Sequence, residues 1–288
     1  MNILDNLHTG RIQDINNLKD FGNRIKFFEG YIINIEDISR TIENCDYVIN
    51  LAGQTSVTGS VENPFEDESI NIRGFLNILK FAVDFRVKKV IQASSSAALG
   101  IQKMPIHELN VPQHVSPYGA SKLAGEAYCS VYSYNYGLNC VALRFSNVFD
   151  PKSYNKGNVI DKFIKQIIKG ESLTVYGDGN QTRDFIYVKD ICDGIFLSLV
   201  KKLSGFNIFQ LGTGIETSIN SLITELSHIL IEENIRMPNV IYVDKRKGEI
   251  THNYVDNSKA KEVLGFKVEY GLNEGLQNTL RWFLNNYK

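Results

Sequence analysis

Short apolar runs alternate with longer stretches of mixed character along the first half of this 288-residue chain. Residues 2–5, 24–29, 46–51, 89–93 and 139–145 read as strands. They are continuous apolar runs rather than alternating ones, as expected of strands covered on both faces. Between them, residues 36–44, 64–85 and 118–137 read as helices, and a further helix follows the first strand and ends near Gly22. Asn63-Pro64 gives the second of these a side-chain cap followed by proline at the first helical position. Strands alternating with helices imply βαβ units and a parallel sheet. Beyond Pro151 the texture changes to longer polar loops, such as 150–158 and 177–184, between shorter elements. The pattern therefore divides the chain into an α/β domain over 1–150 and a smaller lobe over 151–288, with one more core strand at 206–211. The last helix, 272–286, carries the only Trp, Trp282, as a packing residue.

Composition adds exclusions. A net charge of −1 and 43% hydrophobic content describe an ordinary globular protein without a basic face for nucleic acid. No apolar run reaches the ~18 residues of a membrane helix, and no signal peptide is present. Cys45, Cys129, Cys140 and Cys192 lack metal or redox spacing and read as reduced thiols in a cytoplasmic setting. The five histidines are scattered, so no metal site is expected.

The candidate chemistry is concentrated between Val90 and Lys122. The strand at 89–93 breaks at Ser94-Ser95-Ser96, and a polar loop then leads into a helix at Tyr118-Gly-Ala-Ser-Lys122. Tyr and Lys at i and i+4 share one helix face. An ammonium beside a phenol stabilises the phenolate, so the expectation is a Tyr118 pKa lowered toward neutrality and a phenol that acts as a base. A serine hydroxyl at the strand end would meet that phenol and orient a substrate hydroxyl. A bare Tyr-x-x-x-Lys is weak; the serines, the strand and the wording Ser-Pro-Tyr-Gly-x-Ser-Lys strengthen it.

With Ser-Ser-Ser-Ala-x-x-Gly followed by Ser-Pro-Tyr-Gly-x-Ser-Lys, the chain resembles the extended short-chain dehydrogenase/reductases, in particular the nucleotide-sugar epimerases and dehydratases. The resemblance runs from residue 1 to about residue 282. It implies a Rossmann-type doubly wound parallel sheet with a smaller C-terminal substrate lobe, NAD as cofactor, a nucleotide-diphosphate sugar as substrate and a homodimer built on paired helices. The catalytic set it implies is Ser95, Tyr118 and Lys122. Asp5 and Asn6 fall where an acid holds the adenosine ribose, and an acid there favours NAD over NADP. Leu51, Ala52, Gly53 and Gln54, with Asn71 and Ser94, fall on the nicotinamide side, although a solvent-facing Asn71 is the alternative. Ser95, Ser96, Asn147, Val159, Phe163, Arg183, Arg246 and Glu249 match substrate positions, the arginines suiting a diphosphate because their planar forks bind phosphate bidentately.

Three departures sharpen the expectation. A dehydratase of this family would carry Asp and Glu where this chain has Ser96 and Ala97, so oxidation and re-reduction of one carbinol, at C4, is expected rather than elimination. A dehydratase or reductase of the same family and a non-catalytic remnant that binds nucleotide sugar remain as alternatives. Gly30-Tyr31-Ile32 replaces the family's Gly-Asp-Ile at the adenine pocket. Finally, the Gly-rich phosphate turn belongs about 20 residues before the ribose acid, no Gly-x-x-Gly-x-x-Gly occurs in the chain, and Gly212-Thr-Gly214 is a decoy. The family's first strand and its turn are therefore expected upstream of Met1, between the strands ending at Asp5 and Leu51.

Overall fold

The structure is a computed structural model that describes residues 1–153, 157–245 and 250–287. The chain forms two compact units. The first comprises Met1–Gly100, Pro112–Arg144 and Ser198–Phe209; the second comprises Ile101–Val111, Phe145–Leu197 and Gln210–Lys288. The segment after Gly100 joins the second unit, the change-over falls at Arg144, and Ser198–Phe209 returns to the first unit.

In the first unit the strands are β1 (Asn2–Asp5), β2 (Lys26–Glu29), β3 (Tyr47–Asn50), β4 (Lys89–Ser95) and β5 (Asn139–Phe145). β1 pairs in parallel with β2, and β3 in parallel with β4. A four-stranded sheet runs in the order Phe206–Leu211, β5, β4, β3. This is the α/β arrangement expected from the alternating pattern. Among the described residues β1 pairs only with β2, and β3 is an edge of its sheet. That edge exposes apolar side chains: Tyr47 is 47%, Ile49 42% and Leu51 59% accessible. The central strands differ sharply, with Val90, Val141, Ala142 and Leu143 fully buried.

The helices of this unit are α1 (Ile12–Asn16), α2 (Ile35–Ile42), α3 (Val57–Glu62), α4 (Pro64–Glu68), α5 (Phe75–Asp84) and α6 (Pro117–Tyr136). The Asn63 side chain accepts from the Glu66 N–H, giving the cap that the sequence predicts. Helical backbone continues from α4 into α5, but through a π-helical turn at Ser69–Gly74 that the sequence did not announce. Such turns hold one residue more than an α-turn and are frequent at functional sites. α6 begins with Ser116 accepting from the Gly119 N–H and ends at Gly137, whose φ of 67° is the left-handed region that favours glycine. The apolar faces of α2, α5 and α6 bury Ile38, Ile42, Phe75, Ile78, Leu79 and Cys129 in one cluster. Among the described residues no helix is long and apolar enough to cross a membrane.

The second unit has its own core, in which the helices Val159–Lys169, Ile219–Glu232 and Leu272–Asn286 bury Phe163, Ile164, Leu226, Leu230, Leu276 and Phe283. Trp282 packs against this cluster as expected. The strand Leu173–Tyr176 pairs in parallel with Val240–Val243.

Candidate active site

The site is built on the loop that leaves β4 and the first two turns of α6. Ser95 extends β4 and turns its hydroxyl back to accept from the Ala97 N–H, capping the short 3₁₀ turn Ser96–Leu99. The first turn of α6 lies directly on this segment: a Cβ at Gly119 would stand 2.4 Å from the Ala97 carbonyl oxygen. Glycine is what lets the two backbones approach. As a result the Ser95 and Tyr118 side chains are hydrogen-bonded. Ser60 of α3 accepts from the Tyr118 N–H, fixing the start of the helix from a second side.

One turn on, Lys122 lies with its Nζ 5.7 Å from the Tyr118 ring centroid and donates to the Ala93 carbonyl at 3.0 Å. Gly53 faces the same group, since a Cβ there would meet Asn71 Oδ1 at 2.8 Å and Lys122 Nζ at 3.2 Å. The Asn71 carboxamide lies between these segments. Its Oδ1 accepts from the Gln54 N–H, and its Nδ2 lies within hydrogen-bond distance of the Gln54 carbonyl, Asp67 Oδ1 and Ser121 Oγ. Asn71 is thus buried and engaged rather than facing solvent.

Electrostatics correct one expectation. Burial raises the Tyr118 phenol above its ordinary value; the Ser95 hydrogen bond opposes this and the Asp67 carboxylate adds to it. The neighbouring Lys122 does not bring it below that value. Burial pushes Lys122 itself down to about 8, against the opposing pull of Asp67 and Glu126. The physical reason is that both groups are nearly dehydrated, and removing water penalises the phenolate and the ammonium alike.

The sequence also misplaced Ser94. Its hydroxyl is buried and donates to Glu126 Oε1 at 2.6 Å, so it belongs to the support of the site. Glu126 holds Arg144 through both carboxylate oxygens, at 2.8 Å from Nε and 2.6 Å from Nη2. Glu126 lies four residues after Lys122 on α6, a helical spacing that could have flagged it. Asp67, four before Asn71, carries the same signal. Neither was singled out.

The remaining expected positions divide as follows. Asp5 ends β1 with Oδ1 accepting from the Leu7 N–H, and Leu7 adopts a positive φ of 56°. Asn6 is exposed and caps the His8 N–H. At the end of β3, Leu51 and Ala52 are exposed, and Gln54 Oε1 is buried without a partner. Ser96 is buried in the 3₁₀ turn. At the altered adenine position, Asp37 Oδ2 accepts from the Tyr31 N–H at 2.8 Å. In the second unit Asn147 and Val159 are half-buried. Phe163 is fully enclosed in that unit's core and has no face for a nucleotide base, because it lies on the apolar stripe of its helix with Ile160, Ile164 and Ile167. Arg183 is half-buried, and its Nη1 donates to the Thr182 and Ile250 carbonyls, which fix part of the fork that was expected to be available to a diphosphate. Arg246 and Glu249 lie outside the described residues. Among the described residues no cluster of His, Cys, Asp and Glu could hold a metal ion.

Known proteins share this architecture and sequence. The model of the NAD dependent epimerase/dehydratase family matches residues 3–212. A putative UDP-glucose 4-epimerase of Methanocaldococcus jannaschii is 38% identical over 99% of this chain and 90% of the relative. The UDP-glucuronate 4-epimerase of Thermodesulfobacterium geofontis is 34% identical over 94% of this chain and 83% of its own. Among solved structures, the UDP-N-acetylglucosamine 4-epimerase from Methanobrevibacter ruminantium M1, in complex with UDP-N-acetylmuramic acid, superposes with a TM-score of 0.91 at 34% identity, covering 99% of this chain and 90% of that one. With a serine, a tyrosine and a lysine meeting at the end of a parallel strand, and matches of this extent, the chain belongs to the NAD dependent epimerase/dehydratase family.

Proposed function

We propose that the chain is an NAD-dependent epimerase of a nucleotide-diphosphate sugar that inverts C4 through a transient keto sugar. The observation that carries this reading is the meeting of Ser95, Tyr118 and Lys122 at a site whose Ser96 and Ala97 offer no carboxyl group. Elimination of water needs an acid and a base beyond the tyrosine; reversible oxidation of one carbinol does not.

In this reading Ser95 orients the 4-hydroxyl and Tyr118 Oη takes its proton. Lys122 adds the positive charge that favours the phenolate whenever its amine is protonated. Tyr118 returns the proton after the keto sugar has turned over. NAD, when bound, would supply the reversible hydride acceptor that oxidation and re-reduction of C4 require. The chain fits part of that cofactor: Asp5 suits a ribose diol, and the lack of a side chain at Gly53 lets that backbone lie close against Asn71 and Lys122 of the catalytic face. No Gly-rich turn for its diphosphate occurs in the sequence. A second reading is a nucleotide-sugar-binding protein without turnover. Arg183 and Asn147, with Arg246, are the proposed contacts to the substrate diphosphate, and exposed Phe65, Val131 and Tyr136 the proposed surface of a cytoplasmic homodimer.

The test is incubation with NAD and, in turn, UDP-glucose, UDP-glucuronate and UDP-N-acetylglucosamine, with product mass and NADH measured. The expected product is an epimer of unchanged mass with no net NADH. Tyr118→Phe should reduce turnover by roughly 10²- to 10⁴-fold while nucleotide-sugar binding persists. A product lighter by one water would refute epimerisation, and sugar binding without turnover would establish the second reading.

A further inference from the structure

Asp67 is 1% accessible, although it stands in the first turn of α4, where acids ordinarily face solvent and complement the helix N-terminus. Glu66, its exposed neighbour, fills that role. A dehydrated carboxylate is costly unless donors or a cation compensate it. Its compensation comes from the catalytic face of the site. Asn71 Nδ2 lies 3.0 Å from Oδ1, and Lys122 is the cation opposing it. Ser121 donates to the Tyr118 carbonyl, and its Oγ lies within hydrogen-bond distance of the same Asn71 Nδ2. Asp67 is thus joined through Asn71 to the helix turn that carries the catalytic tyrosine and lysine, and sets which way the Asn71 amide points. Because the Asn71 Nδ2 is held toward the carboxylate, its Oδ1 is left to take the Gln54 N–H beside Gly53.

We propose that Asp67 is a positioning residue of this site: its carboxylate orients Asn71 and supplies a buried negative charge facing Lys122 and Tyr118. The proposal rests on the reading of Tyr118 and Lys122 as the catalytic pair, and adds a residue that acts through them. The charged and titratable groups facing Lys122 are Asp67 from α4, and Glu126 and Tyr118 from α6. Glu126 is already held by Arg144 through both oxygens, which leaves Asp67 as the carboxylate not bound to an arginine. Asp67 also acts directly against the Tyr118 phenolate. Its removal thus has opposed effects on the tyrosine and a single effect on the lysine, and the lysine is the informative readout.

The experiment is NMR titration of the Lys122 Cε–Nζ group in the full chain labelled with ¹³C-lysine, the resonance being assigned by its loss in Lys122→Met. In the native protein the midpoint is expected at about 8. In Asp67→Asn, which keeps the side-chain shape and an oxygen toward Asn71, it should fall by about one pH unit. An unchanged or raised midpoint in a folded Asp67→Asn protein overturns the proposal. Should that variant fail to fold, the reciprocal measurement decides: by linkage the carboxyl of Asp67 must titrate at higher pH in Lys122→Met than in the native chain, and an unchanged carboxyl titration overturns the proposal equally. Neither readout requires turnover. A failed titration test with intact epimerase activity therefore sinks only the role of Asp67, and a successful one without activity sinks only the catalytic reading.

Discussion

Replacing Glu126 by glutamine keeps the length of the side chain and removes its charge. Glu126 and Arg144 have side chains only 2% and 3% accessible, and both carboxylate oxygens are used. Oε1 takes Ser94 Oγ and Arg144 Nε, and Oε2 takes Arg144 Nη2. Glutamine offers one acceptor and turns an NH₂ toward a guanidinium or a hydroxyl, so a charge-assisted bond is lost and the buried Arg144 loses the Glu126 counter-charge. Removing one partner of such a pair costs about 3–5 kcal/mol, whereas replacing both by apolar groups of similar volume is often nearly neutral. Urea unfolding of Glu126→Gln should show a loss of that order. Glu126→Leu combined with Arg144→Met should recover most of it, leaving chiefly the unpaired Ser94 hydroxyl, worth about 1–3 kcal/mol. A single-variant loss below about 1 kcal/mol, or a double variant no better than the single one, would refute the argument that the ion pair is desolvated and mutually dependent.

One further outcome follows from burial. Lys122 titrates at about 8 when folded against 10.5 when free, so between these values the unfolded chain holds a proton that the folded chain has released. Stability should therefore rise with pH from about 8 until the Tyr118 phenol, which folding raises above 10.0, begins to reverse the slope; urea midpoints over this window should show the rise in the native chain and not in Lys122→Met, and a flat native profile would contradict it.

Much of the fold could be read from the sequence because its cues are local. The strand Asn139–Phe145 and the last helix, Leu272–Asn286, fall at the expected residues, and the Asn63-Pro64 cap marks its helix without tertiary information. The Ser95–Tyr118–Lys122 meeting was legible from wording and helix spacing together. What stayed hidden depends on what surrounds a side chain. The rise of the Tyr118 phenol, the use of Ser94 as a donor to Glu126 and the enclosure of Phe163 are all consequences of burial, which spacing does not report. Arg183 reads as a free fork in sequence, yet backbone carbonyls from Thr182 and the distant Ile250 hold it.

The π-helical turn at Ser69–Gly74 makes the helical stretch from Pro64 to Asp84 a matter of phase. Each α-helical residue advances about 100° around the axis, so one surplus residue in the turn offsets everything before it by that angle relative to α5. The Phe75–Leu79 face that packs in the core and the Asp67 side chain that reaches Asn71 are correct together only with that offset. Deleting a single residue from the turn would restore a regular helix and leave α5 seated, while rotating Asp67 out of the site. The length of this segment, as much as the identity of any residue in it, is therefore a condition of the site.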